Sequence, residues 1–469
     1  MMAFLDWLDG IFYYPILVIV LAAAGLWFTF KTKAVNFTMI GESIRVLKEK
    51  PDEEGAISSF KALMVSTASR VGTGNIVGVA TAICIGGFGS VFWMWVIAFV
   101  GMASAFVEST LAQIYKKKNP DGGSYGGPAY YIEDALGSRG LAVVFAIFLI
   151  LTYAGGFNML ASYNLQSSFA AFGFYKEGVT CWIIGAVLAL VVGYCIFGGG
   201  RRIADVAGVL VPVMGVLYIL VALVVIVAHG KLIPAMFGEI FRNAFDFHAA
   251  AGGIAGSCMM YGIKRGLFSN EAGVGSAPNA AAAASVSHPV KQGLVQMFSV
   301  FLDTIILCTA TAFMCMCCGI TPTEELAGAP MVQAATGTIL GTNGGNIFVA
   351  VALSLFAFTT LIGNFFYVDN CLAFINNKKM PSKKFMIIFR ICAALVIFLG
   401  AGLSMAAAWD IADILMALMC LVNLPACVKL GGVAYKALAD YKAQKAEGKN
   451  PVFKAADIGM DDSQLDYWK

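Results

Sequence analysis

The chain has 469 residues, of which 59% are hydrophobic and 13% charged, with a formal net charge of +3. A soluble domain carries about 45–50% apolar and about 25% charged residues, so most of this chain has lipid as its solvent. The balanced charge and the lack of basic clusters on a polar domain exclude a nucleic-acid binder.

A bilayer core needs about 20 apolar residues per helix. The opening stretch, "MMAFLDWLDGIFYYP", carries Asp6 and Asp9 where a cleaved signal has basic residues. The first run, near 13–30, is therefore expected as a retained helix. Further runs follow near 57–86, 90–115, 141–171, 179–198, 204–228, 249–285, 291–318, 346–374, 386–407 and 409–430, which makes eleven. From about 431 the chain turns polar and alternates Lys with Asp and Glu, as in "YKALADYKAQKAEGK". That segment is expected as an amphipathic helix or a disordered end. Most of the 12 cysteines fall in apolar runs and read as small buried hydrophobes. Cys315, Cys317 and Cys318 cluster without a histidine, so no zinc site is expected.

Basic residues in the connections orient the spans. With the N-terminus outside, Lys31 to Lys50, Lys116 to Lys118, Arg139, Arg201, Arg202, Lys291 and Lys378 to Lys384 fall inside. Only Lys176, Lys231 and Arg242 fall outside. One miscounted span would scramble this separation. The reading is an all-α polytopic protein of the cell membrane with its C-terminus cytoplasmic. It divides into 1–50 (extra helix and linker), 51–230, 231–430 and a tail, 431–469.

Two spans are interrupted. "STASRVGTGNIVGVA", Ser66 to Ala80, breaks the second with Gly72 and Gly74. In lipid every backbone group must be paired, so a break is tolerable only where it faces protein, water or a ligand. The half-helix restarting near Asn75 offers bare amides and a positive dipole end to a carboxylate. The half ending near Ser69 offers bare carbonyls to a cation. "YGIKRGLFSNEAGVGSAPNAAAAA", Tyr261 to Ala284, breaks the seventh span and carries Lys264, Arg265, Asn270 and Glu271. Ionisable residues at that depth are costly and usually functional. Spans 2–6 and 7–11 are two sets of five, hence of opposite orientation. A broken first helix in each of two inverted halves is a pattern of secondary transporters, with span 1 an extra N-terminal helix.

"RVGTGNIVGVATAI", "GGPAYYIEDALG", "RGLFSNEAGVGSAPNAAAAA", "SHPVKQGLVQMFSVFLDT" and "WDIADILMALMCLVNLPA" together resemble the alanine or glycine:cation symporter family, from about residue 10 to 430. The resemblance implies a LeuT-type transporter fold and import of small neutral amino acids, alanine or glycine, with Na+ by alternating access. It implies no enzyme. It also implies a sodium site between carbonyls of the first broken helix, here Ala68 and Val71, and hydroxyls of span 9, here Thr359 and Thr360. Asn75 is a candidate for a second ion.

The residues themselves place the substrate carboxylate on the amides of Thr73 and Gly74, with the Thr73 hydroxyl. The amino group falls to carbonyls freed around Phe268, Ser269 and Asn270, and to the Asn270 side chain. Asn158, Ser162 and Gln166 form one stripe of the fourth span, at i, i+4 and i+8. Asn164 joins it only if the helix distorts at "GGFN". Where the family often has a glutamine after its "NM" pair, this chain has Leu160 and Ala161. Phe157, Phe268 and Phe365 are candidate walls of a small pocket. Arg70 either binds the substrate carboxylate or forms an ion pair or gate with Glu108, Glu271 or Asp303; the second is favoured, with Glu271 as its gating partner. The competing readings are proton coupling through Glu108, Glu271 or Asp303, a channel, and a membrane enzyme, against which stand only three histidines, His229, His248 and His288, all near connections and without a nucleophile–base set. A channel predicts a continuous polar stripe, whereas here the polar residues concentrate at two breaks.

Overall fold

The computed structural model describes residues 2–50, 57–119, 123–245, 254–463 and 465–469. They form helices α1 (2–31), α2 (35–47), α3 (Ser59–Arg70), α4 (Gly74–Gly86), α5 (Ser90–Ile114), α6 (Pro128–Leu136), α7 (Arg139–Ser167) and α8 (Thr180–Ile196). Then come α9 (Gly199–Ala228), α10 (Ile233–Ala244), α11 (Ile254–Asn270), α12 (Pro278–Ala282), α13 (Pro289–Cys317), α14 (Ala329–Ile375), α15 (Lys383–Gly400) and α16 (Met405–Ala446). A two-strand ladder pairs Lys117–Lys118 with Ser124–Tyr125.

Among the described residues, α5, α7, residues 202–228 of α9, α13, α14 and α16 are each long and apolar enough to cross a membrane. The bent pair α3 and α4 passes the same test as one broken span. The protein is therefore a multi-pass, all-helical membrane protein. α9 shows why its residues choose lipid. Val209, Val213, Val216, Leu220, Leu223 and Val227 are all exposed, a face that water would not tolerate. Ile203, Ala207, Val211, Met214 and Tyr218 on its other side are buried.

Among the described residues, wide, π-type turns interrupt the helices at Phe12–Leu17, Gly74–Gly78, Leu151–Gly156 and Phe301–Cys308. Such turns displace the hydrogen-bond ladder and often mark functional sites. The last three lie on α4, α7 and α13, which surround the breaks.

Several boundaries differ from the sequence reading. α1 begins at Met2, not near 13, because the two aspartates ride on a helix that continues through Phe12–Leu17. α14 begins at Ala329, not 346. Its first part doubles back at Gly341, where φ is +72°, and a Cβ on Gly345 would stand 2.6 Å from the Gly337 nitrogen. Glycine supplies both the turn and the close approach. The segment is too polar and glycine-rich to register as an apolar run. Of the two expectations for the polar segment after 431 the helix holds as far as Ala446, where α16 ends, and the residues beyond it dock against the bundle. Residues 249–253, the start of the span expected at 249–285, lie outside the described residues.

Candidate functional site

At the first break α3 stops at Arg70 and α4 restarts at Gly74, with a 54° bend between them. The Val71 amide still reaches the Thr67 carbonyl, at 2.7 Å. The Gly72 amide instead donates to Asn75 Oδ1 at 2.9 Å, so the Ala68 carbonyl loses its i+4 donor. α14 presses against this bared end. A Cβ on Gly363 would lie 2.9 Å from the Ser69 nitrogen, and one on Gly72 would collide with the Thr360 hydroxyl.

At the second break α11 stops at Asn270. Glu271 takes a left-handed φ of +51°, followed by Gly273 at +85° and Gly275 at +92°. A non-glycine residue there costs about 1–3 kcal/mol and persists only when its surroundings fix it. Here they do. Ser276 Oγ donates to Glu271 Oε2 at 2.7 Å, and Ser69 Oγ approaches Oε1 at 3.4 Å. Buried Glu108 on α5 accepts from the Gly273 amide at 3.3 Å and from Asn423 Nδ2 at 2.8 Å. Asn423 also donates to the Gly273 carbonyl at 2.9 Å.

One carboxylate joins the two breaks. Asp303, in the wide turn of α13, accepts from Asn75 Nδ2 at 2.8 Å on one oxygen. Its other oxygen accepts from Ser269 Oγ at 2.8 Å and Thr304 Oγ1 at 2.9 Å. Asn270 Nδ2 donates to Thr304 Oγ1 at 3.2 Å. All five side chains are fully buried or nearly so.

Between the breaks lies a small cavity. The first break lines it with Ser69, Arg70, Gly72, Thr73 and Gly74. Facing them are Phe157 and Ala161 of α7, Phe268 and Glu271 of the second break, and Thr360 of α14. Its volume is ≈ 10 Å³ on a measure by which one water needs about 10–15 Å³. The bundle is therefore closed around the site. On one side the Phe268 ring is held between Phe157 at 4.8 Å and Trp409 at 4.9 Å. Arg265 stacks on Trp409 at 3.6 Å and pairs with Asp413 at 3.1 Å.

The structure brings Thr73, Gly74, Phe268, Arg70, Glu271 and Thr360 to this cavity. Asn164 is adjacent, donating to Thr73 Oγ1 at 2.9 Å; the wide turn at Leu151–Gly156 precedes Asn158, Ser162, Asn164 and Gln166 and rotates all four together. Asn158 stands one step removed. It accepts from Asn364, whose own oxygen takes the Ser69 hydroxyl at 2.6 Å. Ser269 and Asn270 direct their side chains to Asp303 and Thr304. Gln166 is turned away and accepts from Tyr175 at 2.7 Å. Phe365 is buried outside the lining.

Thr359 and Thr360 do not act as a pair. Successive helical residues diverge by about 100°. Only Thr360 faces the break, with its hydroxyl buried and without a protein partner. Thr359 bonds the Leu355 and Phe356 carbonyls, both at 3.0 Å, beside Met214. Arg70 likewise departs from the expected ion pair. Its guanidinium reaches only the Gln296 carbonyl, at 3.4 Å, while Nε and Nη2 have no protein partner. Asn364 and Asn423 were missed. Each is an amide in an apolar helix, and Asn364 stands four residues after Thr360.

Asn158 Nδ2, Ser162 Oγ and Asn164 Oδ1 are also buried without a protein partner. Buried polar groups are nearly always satisfied. Unsatisfied donors and acceptors on α7, at Arg70 and at Thr360, around two opened helix ends, are the chemistry of a site for a small polar guest. A closed polytopic bundle with such a site at its centre is a transporter in class. The chain belongs to the sodium:alanine symporter family, which it matches over residues 1–455. This is a family of transporters, not enzymes. It is 44% identical to a probable sodium/glutamine symporter, GlnT, of Bacillus subtilis, over 93% of this chain and 90% of that protein. It is 37% identical to the sodium/alanine symporter AgcS of Methanococcus maripaludis, over 93% and 96%. A sodium/proton-dependent alanine carrier protein of Bacillus sp. PS3 is 38% identical, over 91% and 97%.

Proposed function

We propose that this protein imports small neutral amino acids, alanine and glycine, together with sodium by alternating access. The observation that carries the reading is the cavity where the opened end of α3, the restart of α4 and Thr360 meet. The carboxylate would lie on the Thr73 and Gly74 amides at the positive end of α4, and the ammonium against carbonyls near Phe268. Sodium would take the Ala68 and Val71 carbonyls with the Thr360 hydroxyl, hard oxygen ligands suited to it. Ala161, Phe157 and Phe268 would bound the pocket on its side-chain side. Size exclusion, rather than added contacts, would reject larger substrates. Eleven spans in two inverted halves of five, with the N-terminus outside, fit the paired breaks and the distribution of basic residues. The four divisions 1–50, 51–230, 231–430 and 431–469 follow from that arrangement.

The deciding experiment is alanine uptake into proteoliposomes at constant pH with sodium replaced by choline. Uptake is expected to disappear; undiminished uptake would overturn sodium coupling. Proton coupling is the second reading. It draws support from Asp303, a buried carboxylate shared by both breaks, and from the relative described as sodium/proton-dependent. Under that reading a pH gradient alone drives uptake. In a competition panel, alanine and glycine should displace labelled alanine and glutamine should not.

Thr360→Ala tests the ion site. Loss of one hard ligand should raise the sodium concentration for half-maximal uptake about tenfold, equivalent to about 1.4 kcal/mol. Thr359→Ala, whose hydroxyl is already bonded within its own helix, should leave that concentration unchanged. Equal effects from both would reject the geometry.

A further inference from the structure

The residues beyond α16 form a strap that packs where the start of α3 meets the segment just after α12, so it touches both broken helices. Ile57, at the start of α3, forms a parallel bridge with Ala284, just after α12, and the Ser285 amide bonds the Ile57 carbonyl at 2.9 Å. Ala62 of α3 packs with Ala284 and Val286 in a small apolar cluster separate from the main core. Trp468 packs against that cluster. Its indole N–H donates to the Gln113 carbonyl at the end of α5, at 2.8 Å. Gln113 Nε2 in turn donates to the Ala284 carbonyl at 2.9 Å. Lys116 Nζ donates to the same carbonyl at 3.1 Å and lies 4.8 Å over the Trp468 ring.

The rest of the strap is fastened by specific bonds. The Phe453 amide reaches the Ser287 carbonyl at 2.9 Å, and the Ala455 amide reaches the Trp468 carbonyl at 2.9 Å. Lys291 donates to Asn450 Oδ1 at 2.9 Å, Tyr467 OH to the Gly123 carbonyl at 3.1 Å, and the Lys118 amide to Asp466 at 3.0 Å. Phe453, Ala455 and Leu465 are buried. A solvated tail would bury none of them.

We propose that residues 450–469 are a latch that holds this seam between α3 and the 284–286 segment shut, with Trp468 as its bolt. The first half of α3 is attached to the bundle on one side through Ile57 and Ala62. For the site to open on this side, that half-helix must part from the 284–286 segment, and Trp468 spans the seam. Undocking the strap frees the two halves to separate, and redocking closes them. The latch therefore sets the rate of opening, not the affinity of the closed site. This rests on the reading that the cavity between the breaks carries the transported solute.

Two variants release the latch: a stop after Lys449, and Trp468→Ala. Each should raise the maximal rate of net uptake at least about twofold with KM unchanged. A reporter, Thr67→Cys on the buried half of α3, should alkylate at least about tenfold faster when either change is added. Alkylation needs no substrate, so it tests the latch even if alanine proves not to be carried. The opposite arm locks it. In a Cys392→Ser background, Ala62→Cys and Trp468→Cys joined by a short, reducible bis-thiol reagent should lose uptake and regain it on reduction. Transport by the cross-linked protein at the uncross-linked rate would overturn the proposal. So would released variants that only melt earlier, with slower or unchanged uptake and no faster labelling.

Discussion

Gly74→Val should weaken alanine binding at least about 100-fold, close to 2.7 kcal/mol, in a protein that still folds. A Cβ at this position would sit 2.8 Å from Cδ1 and Cε1 of Phe268. That ring cannot swing away freely, because Phe157 and Trp409 flank it at 4.8 and 4.9 Å. The two valine methyls would then occupy the approach to the Thr73 and Gly74 amides. The ordinary cost of overpacking is about 1–3 kcal/mol of stability. Loss of binding should exceed what that cost explains. Alanine affinity and thermal stability are measured on the same purified protein, with sodium binding as the control for the neighbouring ion site. If the glycine only allows close packing, stability falls and affinity does not. Normal affinity in the folded variant would move the carboxylate to Arg70, which lines the cavity and whose buried Nε and Nη2 have no protein partner.

The two breaks were legible because their signals are local. Gly72 and Gly74, and then Glu271 with Gly273 and Gly275, are residues that no lipid-facing helix would choose at that density. Composition alone made the chain a membrane protein. The side chains that organise the site were less legible, because their meaning is set by contacts distant in sequence. Asp303 is one acidic residue in an apolar run until α13 places it between Asn75 and Ser269. Asn423 is one amide until it is seen to hold Gly273 and Glu108 together. Rotation about a helix axis was the finest detail lost. It separates Thr360 from Thr359, and it turns Gln166 outward while Asn164 points to Thr73. The C-terminal strap beyond Ala446 was less legible for a related reason. Its charges suggested solvent, but Phe453, Leu465 and Trp468, spaced among them, supply the contacts that dock it.

Asp413→Ala should destabilise the protein more than any change within the site. Asp413 is buried, pairs with Arg265 at 3.1 Å and lies 3.7 Å from Lys264, which also bonds Asp9. Removing it leaves Arg265, only 4% exposed, without the carboxylate it pairs with among the described residues. The guanidinium would keep its contact with the Trp409 face, but a cation–π contact contributes about 0.5–2 kcal/mol. Breaking a buried pair costs about 3–5 kcal/mol, because the remaining charge stays desolvated. The expected result is a large fall in the unfolding temperature of the purified protein. The double change Arg265→Met with Asp413→Leu separates charge from packing. Replacing a whole buried pair by apolar residues is often neutral or stabilising, so this variant should recover most of the lost stability. If it is as unstable as Asp413→Ala, the site needs the shape of Asp413 and not its charge. The recovered variant should still bind alanine, because Arg265 acts on the cavity only through the stack of Trp409 on Phe268. A single Asp413→Ala protein as stable as the wild type would mean that Arg265 finds another acceptor, for which Asp9, bonded to the neighbouring Lys264, is a candidate.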